Sequence, residues 1–284
     1  MANGKQNKGA AKKKGSVAAA RGSVVAGKQT PWGTIAAVVG IVLLAVGVFG
    51  YYYVASGDQR AQREREEAAA SFAPSADNPD PSTKIDGVVT EEYVGGAHVL
   101  PDERVAYDKT PPFGGPHDGY WAACTGTVYP EAVRTENMVH SLEHGAIWIA
   151  YDPDKVKGEQ LDELKLRVEG EPFMMMSPYP GLDSPISLQS WGHQLKVDSV
   201  EDERIDQFIA ALRRNPNTYP EVGASCDALG PGMFDPDNPP AFNAEPPGPD
   251  AKPMDYQGSD GAPEEEMGTQ MPPQQQGSST QSEG

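Results

Sequence analysis

Residues 34–54 read Thr-Ile-Ala-Ala-Val-Val-Gly-Ile-Val-Leu-Leu-Ala-Val-Gly-Val-Phe-Gly-Tyr-Tyr-Tyr-Val, without one charged side chain. As a helix rising about 1.5 Å per residue, this run crosses the roughly 30 Å hydrocarbon layer of a bilayer. It predicts one transmembrane helix over 32–54. Trp32 at one end and Tyr51, Tyr52 and Tyr53 at the other fall where aromatic belts sit. Lys5, Lys8, Lys12, Lys13, Lys14, Arg21 and Lys28 precede the span with no acid among them. That asymmetry predicts a cytoplasmic N-terminus and an extracytoplasmic body, a single-pass protein of the cell membrane. The rival is a cleaved signal peptide, but the run is longer than the usual apolar region and no small-x-small cleavage site stands out.

Net charge is −18 and the leader is basic, so the whole acidic excess lies after the span. An acidic body argues against a nucleic-acid partner. Residues 1–31 therefore read as a basic disordered cytoplasmic tail rather than an RNA-binding arm. Residues 55–71 are strong helix formers of mixed charge with almost no apolar stripe. With Pro74, Pro79 and Pro81 behind them, 55–84 read as stalk and linker. The folded domain is expected over 85–229. From Gly230 onward eleven prolines stand among Gly, Gln, Ser and acids. Such a composition buries too little apolar surface to offset its ordering entropy, so 230–284 read as a disordered Pro-rich acidic tail, with a proline-rich docking segment as the alternative.

Inside 85–229 helical and strand patterns are mixed. Extended segments are expected over 93–99 and 105–107, and strands over 121–129, 146–151, 171–176 and 186–197, the last interrupted at Trp191-Gly192-His193. Helical spacing points to 131–142, ending at Gly145, and to 159–169. Ser199 with Asp202 three residues on suggests a capped helix start, followed by Ile205, Phe208, Ile209 and Leu212 on one face. The fold class that follows is α+β, one extracytoplasmic domain with a mixed or antiparallel sheet.

Cys124 and Cys226 lie after the span, where a disulfide is permitted, and two cysteines allow one intramolecular pairing. A bridge closing about a hundred residues is worth up to roughly 4–5 kcal/mol in chain-entropy models. A redox-active pair is the rival, and it lacks Cys-x-x-Cys spacing.

The chemistry-bearing residues concentrate around Asn137-Met138-Val139-His140-Ser141-Leu142-Glu143-His144-Gly145. Two of five histidines stand four apart there, and Pro111-Pro112-Phe113-Gly114-Gly115-Pro116 presents His117 on a shaped loop, with His98 upstream. Histidines at i and i+4 on a helix can reach one ion, with a third from a loop. His117, His140 and His144 make such a set, with Glu143 or His98 as fourth ligand or supporting partner. Met138, Met174, Met175 and Met176 add thioethers that suit copper, although methionines in an apolar run are more often core. His140-x-x-Glu143-His144 also matches a short zinc-protease signature, but a glycine and a strand follow where that enzyme class continues its helix. Ser141 beside His140 raises a serine hydrolase, yet no Gly-x-Ser-x-Gly elbow is present.

Ala97-His98-Val99, the stretch 107–117, Cys124, the run 139–151, Ser177-Pro178-Tyr179-Pro180-Gly181-Leu182, Trp191-Gly192 and Pro220-Glu221 to Cys226 together resemble one family. It is the bacterial domain of unknown function 3105 family, membrane-anchored proteins common in actinobacteria with an extracytoplasmic domain. The resemblance covers 88–227, and Ser141-Leu142-Glu143-His144-Gly145 is its most specific string. By position the motif histidines are His98, His117, His140 and His144. The family has no established activity. A relative that accompanies actinobacterial respiratory oxidase complexes implies a copper-handling or assembly role.

The leading expectation is a non-enzymatic protein that binds copper or zinc through His117, His140 and His144, or serves as accessory or assembly factor for a cell-envelope or respiratory membrane complex. The alternative is a structural protein-interaction module whose histidines hold the motif together. A metal-dependent hydrolase comes third.

Overall fold

A computed structural model describes residues 31–258. The chain divides into two units, Met1–Tyr53 and Val54–Gly284. In the first, Trp32–Tyr53 is a helical stretch of 22 residues, long and apolar enough to cross a membrane, with none of its apolar window buried. It belongs to helix α1, Trp32–Ala69. The tail expected over 1–31 lies, apart from residue 31, outside the described residues.

The second unit is an α+β domain around a mixed six-stranded sheet. Its strands are β1 (Val89–Thr90), β4 (Thr125–Val128), β5 (Ile147–Tyr151), β6 (Met174–Pro178), β7 (Ile186–Ser190) and β8 (His193–Val197), in the order β1-β8-β7-β5-β6-β4. β6 runs parallel to both β5 and β4, while β5–β7, β7–β8 and β8–β1 are antiparallel. A separate two-residue ladder joins β2 (His98–Val99) to β3 (His117–Asp118) in parallel. The helices are α2 (Thr135–Glu143), α3 (Glu159–Lys165) and α4 (Arg204–Leu212).

The continuous apolar runs of β5 and β6 follow from burial on both faces, since successive side chains alternate sides. Ile147, Ile149, Tyr151, Met174 and Met176 point to one core, closed by Leu164 of α3 and by Ile205, Phe208 and Leu212 of α4. Trp148, Ala150 and Met175 point to a second core, closed by Met138, Val139 and Leu142 of α2 with Phe113, Tyr129, Trp191 and Phe234. Met174 and Met176 thus stand on the sheet face away from α2, which removes them as thioether ligands for its histidines. Cys124 and Cys226, 102 residues apart, are joined by a disulfide inside the second core.

Four expectations shift. The last helix begins at Arg204 rather than Ser199, because the Ser199 hydroxyl takes the nearby Glu201 N–H while Asp202 Oδ1 accepts the Arg204 N–H at 3.0 Å. Val105 makes only an isolated bridge, to Lys252. In the stretch read as stalk and linker, Gln62 donates to Glu171 at 3.2 Å and Arg65 approaches Asp206 at 3.9 Å. Pro81 and Ser82 are buried and Asn215 donates to the Pro79 carbonyl at 2.8 Å, so packing starts before residue 85.

At the other end, the domain does not close at 229. Phe234 is fully buried, the Arg134 N–H reaches the Pro240 carbonyl at 2.8 Å, and Arg104 donates to the carbonyls of Asn243 and Glu245. A few aromatic anchors compensate for a proline-rich composition here. Residues 259–284 of the expected tail lie outside the described residues. Phe234→Ala should destabilise the fold by about 3–5 kcal/mol, the range for emptying a buried aromatic site. The check is the urea midpoint of the detergent-solubilised chain; an unchanged midpoint would show that this segment adds nothing.

Candidate metal centre

α2 is set on the second core by Met138, Val139 and Leu142, and its first turn is tied down when Glu136 Oε1 accepts the Val105 N–H at 3.0 Å. It stops by a Schellman turn. Gly145 N–H bonds the Leu142 carbonyl at 2.9 Å and Ala146 N–H the Ser141 carbonyl at 3.2 Å. Gly145 sits at φ +87°, and a Cβ there would stand 2.5 Å from the Tyr219 ring, so only glycine fits. The turn delivers the chain into β5 and leaves His140, Glu143 and His144 at the buried C-terminal end of the helix.

The β2–β3 ladder brings the other two histidines. His98 is registered directly beside His117, and the His117 N–H bonds the Ala97 carbonyl at 3.0 Å. Their ring centroids are 5.0 Å apart, and that of His140 lies 5.1 Å from His98 and 4.8 Å from His117. His98, His117, His140 and Glu143 each offer one ligand atom, all within 4.8 Å of one another.

Second partners orient these rings. His117 Nδ1 lies 2.8 Å from the Gly115 carbonyl, His140 Nδ1 2.6 Å from that of Asp118, and His144 Nδ1 2.6 Å from that of Ser225. A carbonyl can only accept, so each Nδ1 carries the proton and donates it. In a neutral ring held this way Nε2 is a lone pair. Ligating histidines in metal sites are held the same way, by an N–H given to a carbonyl or carboxylate. Glu143 is positioned by the Gly96 N–H, which donates to Oε1 at 2.7 Å. Its Oε2 lies 2.7 Å from His117 Nε2, both fully buried, yet neither atom has a partner of hydrogen-bond geometry. A carboxylate oxygen and an imidazole lone pair at that distance need a proton or a cation between them.

Ligand atoms around a tetrahedral zinc stand about 3.3 Å apart, given bonds of about 2.0–2.1 Å. Here His117 Nε2 and Glu143 Oε2 stand 2.7 Å apart and all four donor atoms fall within 4.8 Å of one another. Burial pushes the His140 imidazole well below its ordinary range, reinforced by His117, His144 and His98, so it stays a neutral donor.

The grouping differs from the expected one at three residues. His144 does not complete the group with His117; it joins His140 and Glu221 in an adjoining group, its Nε2 3.1 Å from Glu221 Oε2. It is the residue after the last turn of α2, and the Ser225 carbonyl turns its ring toward the 221–226 segment. Conversely, His98 and Glu143 are full members. With the His144 ring protonated, so that it donates from both nitrogens, its bond holds the Glu221 carboxyl below its usual range. Glu221 was not read as a site residue, and its place in the string 220–226 was the one signal for it. Trp121, whose ring lies 4.9 Å from His144 and 5.6 Å from His140, had no signal at all.

The hydrolase readings lose their parts. Ser141 donates its hydroxyl to the Ala122 carbonyl at 2.7 Å rather than to a histidine. Glu143 is held by Gly96 and faces His117. His193 serves elsewhere, donating to the Trp191 carbonyl and lying 3.2 Å from Asp80.

A largely buried three-histidine, one-carboxylate cluster, with His98 half-buried, between a helix end and a short parallel ladder defines this as an α+β domain with a candidate metal centre. Residues 98–228 match the model of the family described as protein of unknown function (DUF3105). No curated protein and no solved structure matches the chain.

Because the native fold keeps His140 neutral while an unfolded imidazole protonates near pH 6.5, the unfolded chain binds the extra proton below that value. Stability of the metal-free chain should therefore be complete above about pH 6.5 and fall on acidification, by up to about 1.4 kcal/mol per pH unit from this group. Denaturation midpoints between pH 5 and 7 check this, and His140→Gln should flatten the slope.

Proposed function

We propose that the domain binds one divalent transition metal, zinc or copper(II), through His98, His117, His140 and Glu143, without itself being an enzyme. The observation that carries this is the fully buried, 2.7 Å approach of His117 Nε2 to Glu143 Oε2 without hydrogen-bond geometry. A proton or a cation relieves it, and His98 and His140 beside the pair supply the further donors that a cation takes. Three nitrogens and an oxygen suit a divalent ion. The soft-ligand argument for copper(I) weakens because Met138, Met174, Met175 and Met176 are all core residues. With α1 as an anchor, the reading extends to a membrane protein with its N-terminus in the cytoplasm and the domain outside, in an accessory or assembly role for a membrane complex. The disulfide and the basic leader support that orientation.

A second reading is favoured by the same bonds. His140, His144 and Glu143 tie the end of α2 to the backbone of Asp118 in β3, of Ser225 and of Gly96, while His117 bonds back to Gly115 of its own loop. In that reading the cluster is a staple and the domain an interaction module.

Elemental analysis separates the two. The full chain, purified in detergent from an oxidising compartment and loaded with zinc or copper(II), should retain about one equivalent after dialysis. His117→Gln and Glu143→Gln should abolish it with the circular dichroism spectrum unchanged. A folded wild-type chain that takes up neither metal would leave the staple. For topology, protease added to intact cells should remove the domain and spare an epitope tag at the N-terminus; the reverse pattern would invert the orientation.

A further inference from the structure

Beside the inner cluster lies the group of His140, His144 and Glu221, and the two groups share His140. His140 Nδ1 is committed to the Asp118 carbonyl at 2.6 Å, so one lone pair, on Nε2, has to serve both. Two ions cannot hold it together. The pair is therefore unsuited to a dinuclear centre and suited to two alternative positions for one ion.

Exposure gives these positions a direction. The side chains of His117 and Glu143 are 0% exposed, that of His144 is 2% exposed, and that of Glu221 is 40% exposed. The ring centroids of His117 and His140 are 4.8 Å apart and those of His140 and His144 4.7 Å, so the imidazoles form a continuous series from the fully buried His117 to His144, which meets Glu221, the exposed member of the outer group; His98, on the other side of the inner cluster, is half-buried. The outer members are fixed in place. The Ser225 carbonyl orients His144, the Glu221 N–H donates to the Glu143 carbonyl at 3.2 Å, and Cys226 anchors the segment to Cys124. Trp121 packs against His140 and His144 and donates its Nε1–H to the Asp227 carbonyl at 2.9 Å.

We propose that His140, His144 and Glu221 form an outer metal position through which a divalent ion reaches and leaves the buried position of His98, His117, His140 and Glu143, with His140 passed from one to the other. Glu221 captures the hydrated cation, His144 replaces part of its water, and His140 carries it inward. This rests on the metal reading above and adds a route to it.

A route changes rates and not equilibrium, because loading and release cross the same barrier. The test uses zinc(II) and the full detergent-solubilised chain, comparing wild type with Glu221→Gln and His144→Gln. Uptake is followed by stopped-flow tryptophan fluorescence, release by transfer to a chromogenic chelator, and occupancy by elemental analysis. Both variants should keep about one zinc per chain, with loading and release each slower by about tenfold, the lower end of what a charged port contributes to an on-rate. Glu221 is at the surface, so its variant should retain the fold, which circular dichroism checks.

Unchanged rates at full occupancy would overturn the outer position. So would loss of equilibrium zinc in the His144 variant, which would make His144 an inner ligand, or two zinc ions per wild-type chain, which would end the sharing of His140. Wild-type chain that binds no zinc or copper(II) removes the metal reading and this route together. Wild-type binding with rates indifferent to Glu221 and His144 removes the route alone.

Discussion

Helix α2 passes into strand β5 through the three residues His144, Gly145 and Ala146, with Gly145 at φ +87°, and the candidate site depends on that junction. β5 is buried on both faces at the middle of the sheet, so its register cannot slip without moving Ile147, Ile149 and Tyr151 out of one core and Trp148 and Ala150 out of the other. The end of α2 is therefore held as firmly as the sheet. His140 and Glu143 inherit that position. A side chain at residue 145 would collide with Tyr219 and carry the same error into both the helix end and the strand.

The partners of these residues come from the least regular parts of the chain. β2 and β3 have two residues each, and no long ladder fixes them. They are held instead by bonds that end at the cluster, from Gly96 to Glu143, from His117 to Gly115 and from His140 to the Asp118 carbonyl. Loops and site thus stabilise each other. Buried polar networks of this kind are favourable when every member is satisfied and costly when one is not, which makes the contact between His117 and Glu143 the sensitive point of the domain.

The disulfide extends this arrangement to the far end of the sequence. Cys226 sits one residue from Ser225, whose carbonyl orients His144, and five from Glu221. Cys124 lies beside Ala122 and Ala123, whose carbonyls accept the hydroxyls of Ser141 and Tyr129. A covalent bond between these segments fixes the outer donors relative to α2. In a segment with no helix or strand of its own, that constraint replaces a ladder of backbone hydrogen bonds.

Local pattern made much of this legible. The uncharged run 34–54, the continuous apolar run of β5, the glycine stop after α2, the α+β class and the pairing of the two cysteines follow from residue type and spacing, because each depends on neighbours in sequence or has a single solution. His98, His117, His140, His144 and Glu143 were recognisable as candidates on the same basis. Their grouping was not. Whether His144 faces His117 or Glu221 depends on a carbonyl 81 residues away, and whether Met174 can reach a histidine depends on which face of β6 it takes. Phe234 and Arg104 hold down a proline-rich segment by contacts that composition does not register. The sequence by itself determined the membrane-length helix, the core and the inventory of donors, through local chemistry and periodicity. Only the tertiary structure decided which donors are brought together and which are buried, because burial and long-range hydrogen bonds belong to the folded chain and to no stretch of it alone.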